Sequence, residues 1–204
     1  MPSFSIVVAA DLANGIGLNG GLPWRLRKDM AFFAKITSKV ISNDSRVNAC
    51  IMGRRTWESI PAKFRPLSNR FNVIVSKNPC YLDDKPEKSN PFVALAGSLE
   101  AALSLIKSHQ ESLSPRVERV FLIGGSQLYT EGVRSTHCQN IILTRIQTTV
   151  ECDTFFPDIQ GSEYTLLPSA KSHEFLETFL NEPVEGGMIT EGDYKYEYTV
   201  YTRV

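Results

Sequence analysis

Residues 120–129, VFLIGGSQLY, combine an unbroken apolar run with two glycines and the start of a possible helix. A strand made only of apolar residues is typical of a central position in a parallel sheet, because both of its faces are covered. Paired glycines after such a strand allow a ligand to approach the backbone closely. The stretch therefore predicts an α/β fold with a candidate ligand site. Its spacing is not G-x-G-x-x-G, so a tight turn without a ligand is the alternative.

Outward from this stretch, the chain alternates predicted strands and helices. Periodicity and turn residues predict further strands at residues 1–11, 49–52, 71–76, 92–95, 140–146, 164–167, 174–179 and 194–203. Helices are predicted at residues 25–37, directly after Gly53, at residues 98–108 and from Ser126. In the last strand every second residue is apolar or aromatic, which predicts a C-terminal antiparallel strand on a largely parallel sheet.

A second informative stretch is LPWRLRKDMAFF at residues 22–33, because it places one carboxylate among apolar residues. With about 100° between helical residues, Asp29 falls on the same arc as the apolar side chains, which are Leu26, Met30, Phe33 and Ile36. A carboxylate facing inward is costly without a partner, and no basic residue of this helix shares its face. Asp29 is therefore either a functional acid or a structural group near the helix dipole, and the spacing alone leaves both open.

Two neighbouring segments bear on a ligand site. Residues 11–21 contain four glycines and two asparagines, which predict a flexible loop that leads into the Asp29 helix. An ordinary surface loop is the alternative. After Gly53, Arg54 and Arg55 begin a short helix, whose first amides and two guanidinium groups suit a phosphate. Two solvated surface arginines are the alternative there.

The composition favours a small-molecule protein of one domain, residues 1–204. The 22 basic and 22 acidic residues balance, so bulk charge indicates neither a nucleic-acid nor a membrane partner. Four scattered cysteines without C-x-x-C, and an N-terminal segment without a signal-peptide pattern, lead us to expect reduced thiols and a cytoplasmic location. The three histidines lack ligand spacing, so we expect no metal. Without a long apolar surface stripe, a monomer is expected.

Taken in order, the motifs of this chain resemble those of the dihydrofolate reductase family over nearly its whole length. They are Ile16-Gly17, Leu22-Pro23-Trp24 with Asp29, Met52-Gly53-Arg54-Arg55-Thr56-Trp57, Arg65-Pro66-Leu67 with Arg70, Ile123-Gly124-Gly125-Ser126, Leu143-Thr144-Arg145 and Asp153-Thr154-Phe155-Phe156-Pro157. Residues 38–48 and 77–91 look like the additional segments of longer eukaryotic members.

The resemblance implies a twisted, predominantly parallel eight-stranded sheet with flanking helices and an antiparallel C-terminal strand. It implies NADPH as cofactor, and dihydrofolate and antifolate inhibitors as ligands. Asp29 would accept hydrogen bonds from the 2-amino group and N3 of the pterin and promote protonation at N5, while hydride reaches C6. Trp24 would order water beside this acid, and Thr144 would support the 2-amino group through water. Burial should raise the pKa of Asp29.

Further residues are assigned through the same resemblance. Val8, Ala9 and Ile123 would line the pterin end, Met30 and Phe33 would enclose the rings, Ile60, Pro61 and Leu67 would flank the aminobenzoyl group, and Arg70 would bind the glutamate α-carboxylate. The cofactor residues would be Ala9, Ile16, Gly53, Arg54, Arg55, Thr56, Ser76, Lys77, Gly124, Gly125, Ser126, Gln127, Leu128 and Tyr129. Among these, Arg54, Ser76 and Lys77 would surround the 2′-phosphate, and the Gly124–Gly125 peptide is expected to be cis.

Two positions depart from the family pattern. Gly97 stands where some relatives have an arginine, which removes one adenosine contact, and Met30 occupies a site often held by an aromatic residue or leucine. Two other functions remain as alternatives. One is reduction of a pyrimidine precursor of riboflavin, whose enzyme we would not expect to carry both the Asp29 motif and Arg70. The other is a non-catalytic protein that binds folate or NADPH.

Overall fold

The computed structural model describes residues 1–42, 45–111, 114–159 and 163–204. These residues contain eleven strands and five α-helices. The strands are β1 Phe4–Ala10, β2 Gly15–Gly17, β3 Arg46–Gly53, β4 Arg70–Val75, β5 Val93–Ala96, β6 Arg116–Leu122, β7 Cys138–Ile146, β8 Thr154–Phe155, β9 Tyr164–Leu166, β10 Ile189–Glu191 and β11 Tyr194–Arg203. The helices are α1 Arg27–Ser38, α2 Arg54–Ser59, α3 Leu99–Glu111, α4 Ser126–Arg134 and α5 Ser169–Leu180, and short 3₁₀ helices cover Ala62–Phe64 and Pro86–Ser89.

The main sheet is a row of eight strands in the order β10-β11-β7-β1-β6-β3-β4-β5. Neighbours from β7 through β5 pair in parallel, whereas β11 runs antiparallel to both β7 and β10. The short β9 also pairs with β11, and β2 pairs with β8 in a separate small sheet. The expected eight-stranded, mostly parallel sheet with an antiparallel C-terminal strand is confirmed.

The apolar run at residues 120–123 shows why β6 is central. Val120 and Leu122 pack into a core cluster with α3 and α4, whereas Phe121 and Ile123 pack into a second cluster with α1, α2 and α5. Each of these four side chains is buried, and β6 lies between β1 and β3. Both faces of the sheet are therefore covered by helices, as the sequence pattern predicted.

Two predictions for the C-terminal part were wrong or incomplete. Residues 174–179, predicted as a strand, belong to helix α5, which buries Ser172, Leu176 and Leu180 at intervals of four. That interval is helical, and a window of only six residues missed it. The glycine-rich turn predicted at 185–193 contains the additional strand β10.

The two segments that resemble eukaryotic additions are mostly irregular. Between residues 77 and 91 the regular structure is the 3₁₀ helix Pro86–Ser89. In the segment 38–48, helix α1 ends at Ser38 and β3 begins at Arg46, while residues 43 and 44 lie outside the described part of the chain. Across the described ranges, every helix is too short or too polar to cross a lipid bilayer.

Candidate active site

A cleft of about 1500 Å³ opens at the carboxyl ends of the parallel strands β1, β3, β4 and β6. All fourteen residues predicted to bind cofactor line this cleft, and so do Val8 and Ile123 from the predicted substrate set. Ligands of open α/β sheets usually bind at this edge, because the loops after the strands meet there. Residues that prediction omitted also line the cleft: Gly17, Gly20, Gly21, Leu22, Ser59, Val75, Asn78, Tyr81, Gly97, Ser98, Glu131, Asp153, Thr154 and Phe155.

The Gly124–Gly125 turn brings backbone to the floor of the cleft. The peptide between the two glycines is cis, as predicted, and Gly124 has a φ of 126°. A Cβ atom at either glycine would lie 3.2 Å from Thr56 Oγ1, so a side chain at either position would crowd the Thr56 hydroxyl. The amide of Gly53 donates to the Gly124 carbonyl at 2.8 Å and joins this turn to the end of β3. The arrangement gives a bound molecule direct access to main-chain groups.

The cleft also carries cationic side chains at the start of α2 and the end of β4. Arg54, Arg55 and Lys77 line it together with Ser76. Arg54 Nη1 lies 3.3 Å from Glu58 Oε1, and the same oxygen accepts a hydrogen bond from the Tyr81 hydroxyl at 3.1 Å. The Arg54 pair is largely exposed, so it holds the guanidinium only weakly. These side chains can bind an anionic group such as a phosphate.

The glycine-rich loop, predicted to be flexible, is hydrogen-bonded to residues 153–156. It contains β2, which pairs with β8. The Asn19 amide donates to Asp153 Oδ2 at 2.8 Å, and the Asp153 amide donates to the Gly17 carbonyl at 3.0 Å. These bonds fix the loop as one wall of the cleft.

Asp29 faces inward, as the helical spacing predicted. Its side chain belongs to a residue only 7% exposed, and the Thr144 hydroxyl on β7 donates to Asp29 Oδ1 at 2.7 Å. Burial raises the pKa of Asp29 to about 6, the Thr144 hydrogen bond opposes this rise, and the charge of Glu191 adds to it. The carboxyl group can therefore exchange a proton near neutral pH.

A smaller cavity of about 330 Å³ lies beside Asp29, and Leu22 lines both this cavity and the larger cleft. Its other lining residues are Trp24, Arg25, Leu26, Arg27, Asp29 and Met30. Trp24 is 6% exposed, and its Nε1 finds no acceptor among the described residues. The predicted acid and the predicted tryptophan thus share one cavity.

Helix α1 departs from the predicted apolar face at Met30, which is 48% exposed and lines the smaller cavity instead of the core. The buried residues of α1 are Asp29, Phe32, Ile36 and Thr37. Phe32, which the spacing argument left out, stacks on Tyr198 with ring centroids 3.9 Å apart. The helix is therefore rotated toward β11 relative to the predicted face, and Met30 is available to a ligand.

Arg70 is a buried guanidinium at the start of β4. It is 7% exposed, its Nε donates to the Ser68 carbonyl at 2.9 Å, and its Nη1 donates to the Thr37 hydroxyl at 2.9 Å. Burial lowers the pKa of Arg70. None of the ion pairs in the described residues includes Arg70. Thr37, which holds this guanidinium from α1, was not predicted.

The remaining predicted substrate residues surround α1 and α2. Phe33, Ile60 and Leu67 are partly buried against the core cluster that contains Trp24 and Ile36, while Pro61 is exposed. Ala9 packs on the same cluster and also lines the cleft. Ile123 also packs into this cluster, which lies on the face of the sheet covered by α1, whereas Val8 packs into the cluster on the opposite face.

Comparison with known proteins agrees with this geometry. The family model described as dihydrofolate reductase matches residues 3–178. The dihydrofolate reductase of Heliothis virescens is 36% identical over 200 residues, which cover 98% of this chain and 97% of that protein. The bifunctional dihydrofolate reductase-thymidylate synthase of Glycine max is 39% identical over 202 residues, which cover 99% of this chain but 34% of that protein.

Among solved structures, Schistosoma mansoni dihydrofolate reductase superposes with a TM-score of 0.74 at 33% identity, and the match covers 100% of this chain and 99% of that one. Both the sequence and the fold therefore match over essentially the full length of single-function relatives. The chain belongs to the dihydrofolate reductase family, whose members are oxidoreductases that act on dihydrofolate.

Proposed function

We propose that the protein reduces 7,8-dihydrofolate to 5,6,7,8-tetrahydrofolate with NADPH, and so supplies one-carbon metabolism and the synthesis of thymidylate and purines. The observation that carries the proposal is the buried Asp29–Thr144 pair, because Asp29 lines a cavity that shares the residue Leu22 with the glycine-floored, cation-bearing cleft. An acid that can recognise a pterin and a groove that can hold a phosphorylated dinucleotide are thereby adjacent.

Asp29 would recognise the pterin through its amidine-like edge. As a carboxylate, it accepts two charge-assisted hydrogen bonds from the 2-amino group and N3, each contributing about 1.5–3 kcal/mol. Thr144 donates to Oδ1 and fixes the carboxylate, so the two oxygens keep one orientation. Met30 and Phe33 would enclose the rings, with Val8, Ala9 and Ile123 at the pterin end. The same contacts suit antifolate inhibitors that carry a diaminopyrimidine.

Asp29 would also control the proton that N5 receives. With a pKa of about 6, the carboxyl group is partly protonated near neutral pH and can pass a proton through water or through a tautomer of the substrate. Trp24 lines the same cavity and has a buried Nε1 donor, and would orient that water. When bound, NADPH supplies the hydride that C6 receives.

The cleft fits NADPH on three counts. Neither Gly124 nor Gly125 places a side chain over the floor, which leaves space for a pyrophosphate beside the first amides of α4. Thr56, Ser126, Gln127, Leu128 and Tyr129 line the adjoining surface. Arg54, Ser76 and Lys77 provide the charge and hydrogen bonds for a 2′-phosphate, while Gly97 contributes no side chain at the adenosine end.

Cofactor preference tests the phosphate assignment. If Arg54 and Lys77 each contribute about 1.5 kcal/mol, NADPH is preferred over NADH by roughly a hundredfold in kcat/KM. Arg54→Ala and Lys77→Ala should each lower kcat/KM for NADPH about tenfold and leave NADH turnover unchanged, as steady-state assays with both cofactors would measure. Lys107→Ala, at an exposed lysine of α3 that does not line the cleft, is the matched control. Equal use of NADPH and NADH by the parent protein would refute the assignment.

The reaction itself is tested by following the near-ultraviolet absorbance of NADPH. We expect rapid loss of signal that depends on dihydrofolate. A riboflavin-pathway reductase would consume NADPH only with its pyrimidine, and a non-catalytic binding protein would consume none. Either of those results would overturn the proposed function.

We further propose that residues 1–204 act as one dihydrofolate reductase domain, as a monomer in the cytoplasm. The continuous eight-stranded sheet supports the single domain. All four cysteines are unpaired, which fits a reducing compartment. A sedimentation experiment would reveal a dimer if the monomer proposal is wrong.

A further inference from the structure

Helix α1, which carries Asp29, is capped by a residue from a distant part of the chain. Its N-cap residue is Leu26, whose side chain cannot accept a hydrogen bond. The Glu191 carboxylate on β10 instead accepts from the Arg27 amide at 2.5 Å and from the Lys28 amide at 3.0 Å. The Tyr196 hydroxyl donates to the same carboxylate at 3.2 Å. Two amides that a helix start normally leaves without a partner are therefore satisfied across 164 residues of sequence.

This cap lies next to the proposed acid. Asp29 follows Lys28 directly and belongs to the first turn of α1. The positive end of a helix dipole stabilises a carboxylate in its first turn and favours ionisation. A negative charge bonded to those same amides counteracts that stabilisation. Glu191 is well suited to this effect: burial raises its pKa, but the hydrogen bonds from the Lys28 and Arg27 amides and the Tyr196 hydroxyl, together with the charge of Lys28, outweigh burial and hold the pKa below the ordinary value.

We propose that Glu191 is a positioning residue for the reductase reaction, which caps helix α1 and, through its negative charge, keeps the Asp29 carboxyl group able to hold a proton. The inference rests on the proposed role of Asp29 and extends it to a residue outside the cavity. Glu191 does not line either cavity, so its effect passes through the helix backbone and the electric field.

The other charged and titratable groups around Asp29 do not replace this effect. Tyr196 and Tyr198 on β11 interact with Asp29, but burial raises the pKa of both phenols, so they stay neutral. Arg25, just before α1, and Arg27 and Lys28 on α1 are positive; Arg25 and Arg27 line the cavity beside Asp29, and Lys28 pairs with the exposed Glu185 at 3.2 Å. On β7, Thr144 donates a hydrogen bond that lowers the pKa of Asp29. Glu191 is the acid whose charge acts in the opposite direction.

The test is a direct titration of the Asp29 carboxyl group by carbon NMR in the complete protein without substrate. Its resonance is assigned by its loss in Asp29→Asn. Glu191→Gln keeps the shape of the side chain and removes the charge, so we expect the midpoint to fall by about half a pH unit or more. Glu191→Asp keeps the charge but retracts it by one methylene, and should give a smaller fall. Glu185→Gln, the matched control without backbone bonds to α1, should shift the midpoint by less than half as much.

Thr144→Val is a positive control for the titration. Removing the hydroxyl that donates to Asp29 should move the midpoint of the Asp29 resonance to higher pH. In parallel, the pH profile of turnover in Glu191→Gln should shift to lower pH by the same amount, a loss of about threefold above the midpoint. An unchanged midpoint in folded Glu191→Gln, or in folded Glu191→Asp if the first variant does not fold, would overturn the proposal. An equal shift in Glu185→Gln would do the same.

This design separates the inference from the proposed function. If Asp29→Asn keeps normal turnover while Glu191→Gln still moves the Asp29 midpoint, the catalytic role of Asp29 fails and the electrostatic link stands without a catalytic meaning. If Asp29→Asn is inactive and the Glu191→Gln midpoint is unchanged, the function stands and the inference fails.

Discussion

Asp29→Asn is expected to reduce dihydrofolate at least about a hundredfold more slowly than the parent protein at neutral pH, because general acid–base groups typically contribute about 10²–10⁴-fold. An asparagine keeps the size of the side chain and can still interact with Thr144, but it cannot carry a proton to the substrate. Turnover should recover partly in acid, where solvent protonates N5 directly. Steady-state rates measured across the acidic and neutral range give both parts of the result.

The stability of the same variant should change in the opposite direction. The pKa of Asp29 is about 6 in the folded protein against an ordinary 3.8, so the folded state favours the protonated form. Stability associated with Asp29 is therefore present at low pH and declines as pH rises through 3.8 to about 6, at a cost of up to about 3 kcal/mol. An asparagine at position 29 does not ionise, so the variant does not lose this stability as pH rises.

Ligand-free Asp29→Asn should accordingly melt at a higher temperature than the parent protein at neutral pH, and the difference should vanish below about pH 4. Thermal melts over that range provide the measurement. A variant that is both slow and more stable cannot owe its inactivity to unfolding. Unchanged turnover at neutral pH would remove Asp29 from the mechanism. If the difference in melting temperature between the variant and the parent protein does not change with pH, the proposal that Asp29 is a buried carboxyl group with a raised pKa is wrong.

The pattern of apolar residues within a short segment predicted those parts of the fold in which neighbouring residues determine what is buried. The run at residues 120–123 was assigned to a central parallel strand because all four side chains are apolar, and β6 buries them alternately on the two faces. The inward position of Asp29 followed from helical spacing in the same manner. The strand prediction for residues 174–179 was wrong because Phe175 and Phe179 lie in a short apolar segment whose pattern is compatible with either a strand or a helix.

The residues that the sequence did not predict act across large separations. Glu191 caps a helix that begins 164 residues earlier, and Thr37 on α1 accepts a hydrogen bond from Arg70, 33 residues away. Neither contact leaves a periodic signal, because it depends on how β10 and β4 dock against α1. The residues predicted to bind cofactor all line the cleft, because they belong to short motifs at strand ends that the family resemblance aligns one by one.

Arg70 supplies the second prediction of large effect. A guanidinium that is 7% exposed is costly to keep in a protein unless a function requires it, and its bonds to Ser68 and Thr37 are to neutral oxygens. Those two bonds fix the plane of the group from one side. A fixed guanidinium plane is the arrangement that a carboxylate binds with two parallel hydrogen bonds. We therefore expect it to bind the α-carboxylate of the glutamate tail of dihydrofolate.

Arg70→Met should raise KM for dihydrofolate about a hundredfold or more and change kcat less, since losing one partner of a desolvated charge pair typically costs about 2–5 kcal/mol. The same variant should reduce a dihydropterin without the aminobenzoylglutamate tail as well as the parent does, because that substrate never contacts residue 70. Lys63→Met, at an exposed cation in the 3₁₀ helix Ala62–Phe64, is the matched control and should leave both substrates unaffected. Replacing a buried charge by an apolar side chain of similar length should not lower the melting temperature. If KM rises equally for the truncated dihydropterin and for dihydrofolate, Arg70 shapes the pocket as a whole, and the carboxylate assignment is wrong.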